Sequence, residues 1–282
     1  MICAWKELLS ILPLELRSIV DKQGKDSLQE VRLRLGKPVQ LMLSRGEVTL
    51  AGLVRETDLN FVINIASRYS PWAAATTAKG YLTAPGGHRI GLCGDTVVKD
   101  NAVTGFRGLT SLCVRVARDF PGVGSKAAML QGNVLILGPP GCGKTTLLRD
   151  LIRQISNRNG ECIAVVDERG ELFPTSSQGQ CFETGAHTDI LTGCSKAEGI
   201  DMAVRTMGPT CIAVDEITSV ADAQALLQAG WCGVRVLATA HGGSAEDLRT
   251  RPAYEKLVEK GLFHWLVVMD KDKSYHPERM VP

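Results

Sequence analysis

Eight consecutive residues near the middle of the chain have the types and spacing of a phosphate-binding loop: positions 138–145 read Gly-Pro-Pro-Gly-Cys-Gly-Lys-Thr. Glycines let the backbone curve so that its N–H groups point at one anion. The lysine supplies a positive charge for the outer phosphates of a nucleoside triphosphate, and the threonine hydroxyl is a magnesium ligand. The apolar run 133–137 precedes the loop and a helical pattern follows it, as this motif requires. We therefore predict that the chain binds ATP and Mg²⁺ here.

The residues predicted to bind the nucleotide are the loop and the threonine after it: Gly138, Pro139, Pro140, Gly141, Cys142, Gly143, Lys144, Thr145 and Thr146. Lys144 is expected to contact the outer phosphates, and the Thr145 hydroxyl is expected to bind Mg²⁺. The start of the following helix adds its partial positive charge to the attraction. An ordinary Gly-rich turn between a strand and a helix rarely ends in Gly-Lys-Thr, so we favour phosphate binding.

Acidic pairs follow two apolar runs, at Asp167-Glu168 and at Asp215-Glu216. If these runs are parallel strands of one sheet, their carboxyl ends face the bound phosphates. We expect Asp215 to bind Mg²⁺ with Thr145, and a glutamate to orient the attacking water. Glu168 is our first candidate for that role, but the sequence alone does not rank it above Glu216. One acidic strand end is common, whereas two beside a phosphate-binding loop favour a catalytic role.

A third strand end carries Thr-Ala-His-Gly at positions 239–242. A single histidine often has a structural role. Because this one follows a buried strand of the same sheet, we expect His241 to sense the γ-phosphate or to contact a neighbouring subunit.

An arginine is the remaining part that ATP hydrolysis commonly uses, because it stabilises charge on the transferring phosphoryl group, in some ATPases from a neighbouring subunit. For any single arginine, a solvated or ion-paired surface position is the more common case. Arg107, Arg115 and Arg118 lie in or beside the last predicted strand of the first half. Arg169 and Arg205 flank the acidic strands.

The two halves of the chain have different patterns. Residues 28–118 contain short alternating runs separated by Gly and Pro turns, which predicts a mainly antiparallel sheet with a few helices. After residue 133, nearly continuous apolar runs alternate with helical patterns, which predicts a RecA-like, doubly wound parallel sheet. The Gly- and Pro-rich segment 120–125 is the expected linker. We predict an α/β protein with a smaller α+β N-terminal domain over 1–120 and an ATPase domain over 121–282.

Composition limits the possible functions. The formal net charge of the 282 residues is +2, and the aromatic residues are not clustered with basic ones, so direct nucleic-acid binding is not expected. No apolar run is long enough to span a membrane, and the N-terminus lacks the pattern of a signal peptide. The nine cysteines show no Cys-x-x-Cys spacing, which fits free thiols. We expect a cytoplasmic protein that reaches any membrane through partner proteins.

Together these motifs resemble the stage III sporulation protein AA family of spore-forming bacteria, which is similar to the secretion ATPases of type II, type IV pilus and type IV secretion systems. The resemblance covers nearly the whole chain. It is specific because the motifs occur in order with similar spacing. Its residues are 87–94, 114–118, 138–145, 167–169, 196–199, 205–207, 215–217 and 239–242.

The resemblance implies a PAS-like N-terminal domain, a RecA-like ATPase domain and a hexameric ring with nucleotide between the domains. In that scheme Asp167-Glu168 is similar to the Asp box, Asp215-Glu216 to the Walker B box and His241 to the His box. Arg107 or Arg115 would reach the phosphates. The resemblance further implies an integral membrane partner and a role on the mother-cell side of the channel apparatus that supports the engulfed forespore.

Two positions depart from the family pattern, where an arginine is expected in place of His187 and a more polar residue in place of Gly170. These departures bear on the arginine assignment more than on the nucleotide site. Two alternatives to a ring motor stay open at this stage. One is a P-loop protein that handles RNA or DNA, and the other is a nucleotide-gated scaffold with little hydrolysis.

Overall fold

The computed structural model describes residues 1–67, 76–158, 160–176 and 179–280. Contacts divide the chain into two compact units. The N-terminal unit is Met1–Asp119 with Pro174–Phe182, and the C-terminal unit is Phe120–Phe173 with Glu183–Pro282. The first division falls beside the predicted boundary at residue 120. Nothing in the sequence pattern indicates that Pro174–Phe182 groups with the N-terminal unit.

The N-terminal unit begins with two short helices, α1 (Trp5–Ile11) and α2 (Leu14–Gln23). Pro13 stands immediately before α2, where its missing N–H removes no helical hydrogen bond. The described elements that follow include β1 (Leu28–Arg34), β2 (Gln40–Leu43), β3 (Gly46–Thr49), α3 (Glu56–Ser67), β4 (Tyr81–Thr83), β5 (Arg89–Lys99) and β6 (Ala102–Arg115). Pro85–Gly87 forms a short 3₁₀ turn between β4 and β5.

The six strands form one antiparallel sheet in the order β3-β2-β1-β6-β5-β4. Alternation in β1 buries Val31 and Leu33 on one face, as expected for a half-buried strand. Leu28 is also buried, and the pairing of β1 with β2 is irregular between Leu28 and Glu30. The long β5–β6 hairpin turns at Asp100 and Asn101, both with positive φ. A two-residue hairpin turn of this kind favours Asn and Asp, because they tolerate the left-handed region.

His88 ties three segments of the N-terminal unit together. Its side chain is fully buried, the Ala117 N–H donates to Nδ1 at 3.1 Å, and Nε2 lies 2.9 Å from the Ala4 carbonyl oxygen. Since Nδ1 accepts, Nε2 carries the hydrogen and donates. Burial lowers the pKa of His88, which keeps the imidazole neutral in the folded protein.

We predict that His88 makes this unit less stable below neutral pH. The unfolded chain takes up a proton near the ordinary histidine pKa of about 6.5, whereas folded His88 does so at lower pH. Its contribution is therefore present above pH 6.5 and lost as the pH falls toward the folded pKa. Urea unfolding at pH 7.5 and 5.5 should show a smaller pH dependence for His88→Gln than for wild type. An unchanged pH dependence in His88→Gln would contradict this.

The C-terminal unit begins with a 3₁₀ turn, Ala127–Met129, and then β7 (Val134–Gly138), α4 (Lys144–Ser156) and β8 (Ile163–Asp167). A two-stranded hairpin, β9 (Thr175–Ser176) and β10 (Gly179–Gln180), belongs to the N-terminal unit. The remaining elements are β11 (Thr188–Thr192), α5 (Lys196–Thr206), β12 (Cys211–Val214), α6 (Val220–Trp231), β13 (Arg235–His241), α7 (Ala245–Arg249), α8 (Pro252–Glu259), β14 (Trp265–Met269) and β15 (Tyr275–Arg279).

The seven strands of this unit have the order β11-β8-β12-β13-β7-β14-β15. All neighbours pair in parallel except β14 and β15, which pair antiparallel. Strands β7, β8 and β12 are buried along their whole length, as their nearly continuous apolar runs predict. Because parallel strands end at the same edge, the residues that follow β8, β12, β13 and β7 share one edge of the sheet.

Local signals explain where the helices begin. Helix α5 starts at a capping box formed by Ser195 and Glu198, and α6 starts at a second one formed by Ser219 and Asp222. Helix α4 carries buried leucines and isoleucines at helical spacing, so its apolar side packs into the core. Among the described residues, no helix has the length and apolar character needed to cross a membrane.

Candidate active site

The predicted phosphate-binding loop connects the end of β7 to the first residue of α4. Gly141 and Gly143 have φ of 77° and 104°, a region that side chains rarely adopt. A Cβ on Gly138 would lie 2.7 Å from the Cys142 sulfur and 2.9 Å from the Met269 carbonyl oxygen. Glycine is therefore required at these positions for the path of the backbone, and Cys142 is buried as a small filler.

Lys144 is the first residue of α4, and its ammonium group lies across the loop. The Nζ atom donates to the carbonyl oxygens of Gly138 and Pro139, both at 2.9 Å, and lies 3.0 Å from His241 Nδ1. The residue is only 7% exposed, and burial lowers the pKa of Lys144. One positive charge is thus held at the loop between the ends of β7 and β13.

Asp215 follows β12 and contacts the helix that starts at the loop. The Thr145 hydroxyl donates to Asp215 Oδ2 at 2.8 Å, and the Thr239 hydroxyl donates to Asp215 Oδ1 at 2.7 Å. A hydroxyl and a carboxylate are hard oxygen donors of the kind Mg²⁺ prefers, and Mg²⁺ sites usually combine one or two carboxylates with substrate phosphates. The predicted pair Thr145 and Asp215 therefore fits a magnesium ion.

Glu216 and His241 continue the chain of contacts from Lys144. His241 Nε2 lies 3.0 Å from Glu216 Oε1. An ammonium can only donate, so His241 Nδ1 accepts from Lys144 and Nε2–H donates to Glu216. The imidazole thus links the loop lysine to a carboxylate at the end of the neighbouring strand. Both side chains are more than one-third exposed, so a ligand can reach them.

The acids at the end of β8 have different surroundings. Asp167 is 2% exposed and accepts from the N–H groups of Glu171 and Phe173 at 2.8 and 2.9 Å. Burial raises the pKa of Asp167. The two backbone hydrogen bonds to Asp167 hold the loop that follows β8. Glu168 instead accepts from Lys196 Nζ at 2.6 Å. Lys196 is 5% exposed, and sequence reasoning assigned it no role beyond the family resemblance.

One cavity brings the acids of both strands together. It is lined mainly by Asp167, Glu168, Glu171, Lys196, Asp215 and Glu216. The predicted loop residues, both acidic pairs and His241 therefore lie at one edge of the sheet in the C-terminal unit. Five carboxylates line this cavity together with two cationic side chains, Lys196 and Arg169, the latter considered from the sequence, while Lys144 lies at the loop.

The arginines predicted to act on the phosphates lie elsewhere in the chain. Arg107 and Arg115 are exposed on β6 of the N-terminal unit, where Arg107 pairs with Asp95 at 3.4 Å and Arg115 pairs with Glu30 at 3.3 Å. Arg251 of the C-terminal unit, which sequence reasoning missed, donates to the His241 carbonyl oxygen at 2.6 Å.

The other arginines considered from the sequence have partners of their own. Arg118 donates to the carbonyl oxygens of Lys25 and Leu28 within the N-terminal unit, and Arg205 pairs with Asp201 on α5 at 2.9 Å. None of these contacts involves the phosphate-binding loop.

The ion pair between Lys196 and Glu168 predicts a specific cost of mutation. Glu168→Ala leaves a nearly buried ammonium without its carboxylate, which should lower the free energy of unfolding by about 1–2 kcal/mol, less than for a fully buried pair because Glu168 is partly exposed. Urea unfolding of the purified protein measures the change. Glu255→Ala removes an exposed carboxylate on α8 and should change stability by less than about 0.5 kcal/mol. Equal losses in the two variants would contradict this role of the pair.

The chain has an α/β fold that is also found in solved structures of an ATPase and of a pilus retraction motor. The structure is similar to the Legionella pneumophila ATPase DotB, with a TM-score of 0.59 and 17% identity over 89% of this chain and 74% of that one. It is also similar to the pilus retraction motor PilT with bound ADP, with a TM-score of 0.61 and 15% identity over 89% and 76%.

Sequence comparison identifies the family. The family model described as "Sporulation stage III, protein AA" matches residues 4–280, so the chain belongs to that family. Stage III sporulation protein AA of Bacillus subtilis (strain 168) is 35% identical over 281 residues, which cover 95% of this chain and 92% of that protein. The resemblance inferred from the sequence motifs is therefore confirmed.

Proposed function

We propose that this chain binds ATP with Mg²⁺ in its C-terminal unit and hydrolyses it. The observation that carries the proposal is the convergence of Lys144, Thr145, Asp215, Glu216 and His241 through hydrogen bonds of 2.8–3.0 Å. A structural ion-pair network does not need a glycine loop at a helix N-terminus. Together with that loop, these side chains form the set that phosphoryl transfer requires.

In this mechanism the loop amides and the start of α4 bind the phosphates. Lys144 exchanges its contacts with the Gly138 and Pro139 carbonyl oxygens for phosphate oxygens. Thr145 and Asp215 would hold Mg²⁺, which when bound would supply positive charge that stabilises the phosphates. Strands β7 and β12 and helix α4 hold the loop amides, Thr145 and Asp215 in position, so the main adjustment on binding is the exchange of contacts by the Lys144 side chain.

We propose that Glu216 orients the attacking water. Its carboxylate is oriented by His241, which also contacts Lys144, so it lies within two hydrogen bonds of the charge that binds the γ-phosphate. Glu168, our first candidate from the sequence, is engaged by Lys196 instead and shapes the acidic cavity. When Lys144 binds a phosphate, its ammonium group no longer donates to His241 Nδ1, so the hydrogen bonding of His241 changes with the nucleotide.

Removal of the loop lysine tests nucleotide binding and hydrolysis. Lys144→Ala should lower the ATPase kcat by about a hundredfold or more, because it deletes a donor aimed at developing charge. Phosphate release and fluorescent-nucleotide titration measure the two steps. Lys99→Ala, at the exposed end of the β5–β6 hairpin, is the matched control and should match wild type. Equal ATP affinity and turnover in Lys144→Ala and Lys99→Ala would contradict the proposal.

We further propose that the protein acts as a homo-hexameric ring motor that serves a sporulation channel or secretion apparatus through an integral membrane partner. Membership in a sporulation family and the likeness of fold to an ATPase and a pilus motor support this. In this proposal the C-terminal unit is RecA-like, the N-terminal unit is PAS-like, and Arg107 or Arg115 acts on a nucleotide. The protein would lie in the cytoplasm on the mother-cell side, bound to the membrane through its partner.

Light scattering tests assembly. With Mg²⁺ and a non-hydrolysable ATP analogue, wild type should reach about six times its 30.4 kDa monomer mass. At the same analogue concentration Lys144→Ala should stay smaller because it binds the nucleotide more weakly. Assembly without any turnover of ATP would support a nucleotide-gated scaffold instead of a motor. A salt-dependent gel shift with single-stranded nucleic acid would favour the nucleic-acid alternative. A monomer in both variants with saturating nucleotide would contradict the ring.

A further inference from the structure

Thr239 lies on β13, two residues before His241, and its hydroxyl contacts both acids that follow β12. We propose that Thr239 is a positioning residue that fixes the carboxylate of Asp215 and the backbone of Glu216 in one arrangement. The effect on kcat that we expect from Thr239 rests on the proposed ATPase function.

The hydroxyl of Thr239 makes two different hydrogen bonds. It donates to Asp215 Oδ1 at 2.7 Å and accepts from the Glu216 N–H at 2.8 Å. The side chain is fully buried, so neither bond competes with water. The backbone carbonyl oxygen of Thr239 also accepts from the Ile217 N–H at 3.0 Å. Three consecutive residues of the turn after β12 are therefore bound to one residue of the neighbouring strand.

Glu216 needs this support because its backbone is unfavourable. Its φ of 51° lies in the left-handed region, which a residue with a Cβ adopts only when its surroundings hold it there. The Glu216 N–H donates to the Thr239 hydroxyl. The carbonyl oxygen of the next residue, Ile217, accepts from the Tyr254 hydroxyl. Without the Thr239 hydroxyl, one side of this support is lost and the Glu216 backbone can relax.

The same hydroxyl also determines how Asp215 can bind a cation. One carboxylate oxygen of Asp215 accepts from Thr145, the other predicted magnesium ligand. Its second oxygen accepts from Thr239, so the carboxylate plane is fixed by bonds from two elements. Groups that orient a metal ligand in this way commonly change metal affinity or activity by about 10–100-fold when removed. Thr239 thus links the orientation of Asp215 to the conformation of Glu216.

Threonine suits this position for a simple reason. A hydroxyl can donate and accept at the same time, and the branched side chain fits a buried strand. Ala238 and Ala240 on either side are also fully buried, so the hydroxyl lies within an apolar strand. Valine has the same shape but leaves an Asp215 oxygen and the Glu216 N–H without their partner. Serine keeps both bonds and loses only a methyl group.

The experiment compares Thr239→Val with Thr239→Ser and with a matched control. Thr188→Val removes a hydroxyl that makes two hydrogen bonds on β11 of the same sheet, to Ser156 and Thr184. We expect Thr239→Val to lower the ATPase kcat by about 10–100-fold with the KM for ATP changed much less. Thr239→Ser should recover most of the lost kcat, and Thr188→Val should keep the wild-type kcat with a lower Tm.

Hydrogen exchange without nucleotide provides a readout that does not depend on activity. In Thr239→Val the Glu216 amide should lose protection by more than the Ile217 amide, because valine keeps the backbone acceptor of Ile217. Should Thr239→Val fail to fold, Thr239→Ala removes the same hydroxyl with a smaller side chain and is measured in its place.

The outcomes separate this inference from the proposed function. Wild-type kcat together with an unchanged Glu216 amide in the Val or Ala variant would overturn the role of Thr239. A kcat loss in Thr239→Ser or Thr188→Val equal to that in Thr239→Val would also overturn the role of Thr239. A general packing defect would then explain the loss in each variant. A third outcome is that wild type shows no ATP turnover while the Glu216 amide of Thr239→Val is less protected than that of wild type. In that case the proposed ATPase function fails and the positioning role of Thr239 is supported.

Discussion

The ammonium group of Lys144 is the interaction on which the arrangement of the site in the C-terminal unit depends. A cation that is nearly removed from water needs close partners, and here it has two loop carbonyl oxygens and one imidazole nitrogen. These partners are weaker than a phosphate, because the carbonyl oxygens and the neutral imidazole carry only partial charges. Burial also lowers the pKa of Lys144, so a polyanion that binds here strengthens the charged form. The site is therefore prepared for an anion.

The parallel sheet supplies everything else at the same edge. Strand β7 delivers the loop, β12 delivers Asp215 and Glu216, and β13 delivers Thr239 and His241. Because these strands are adjacent and in register, side chains distant in sequence meet within hydrogen-bond distance. The cost is a crowded set of carboxylates, which Lys196 offsets by pairing with Glu168. The same constraint explains the left-handed backbone of Glu216, since the turn after β12 must bring two consecutive acids to one cavity.

Local patterns predicted the loop, the buried parallel strands and the acids at their ends, because these depend on residue type and short spacing. The edge strands β11 and β15 were missed, since a half-exposed strand such as Tyr275–Arg279 carries mostly polar residues and lacks an apolar run. The roles of Thr239 and Lys196 depend on partners more than twenty residues away in sequence. Grouping of Pro174–Phe182 with the N-terminal unit is a long-range property of the same kind.

In the proposed site the loop, Lys144 and the acids after β12 surround one triphosphate. A crystal structure of the protein with Mg²⁺ and a non-hydrolysable ATP analogue would show this arrangement. We expect Lys144 Nζ to move from the Gly138 and Pro139 carbonyl oxygens to the outer phosphates, with Mg²⁺ near Thr145 and Asp215. Phosphates bound away from the loop, or Lys144 still bonded only to those carbonyl oxygens beside the analogue, would contradict it.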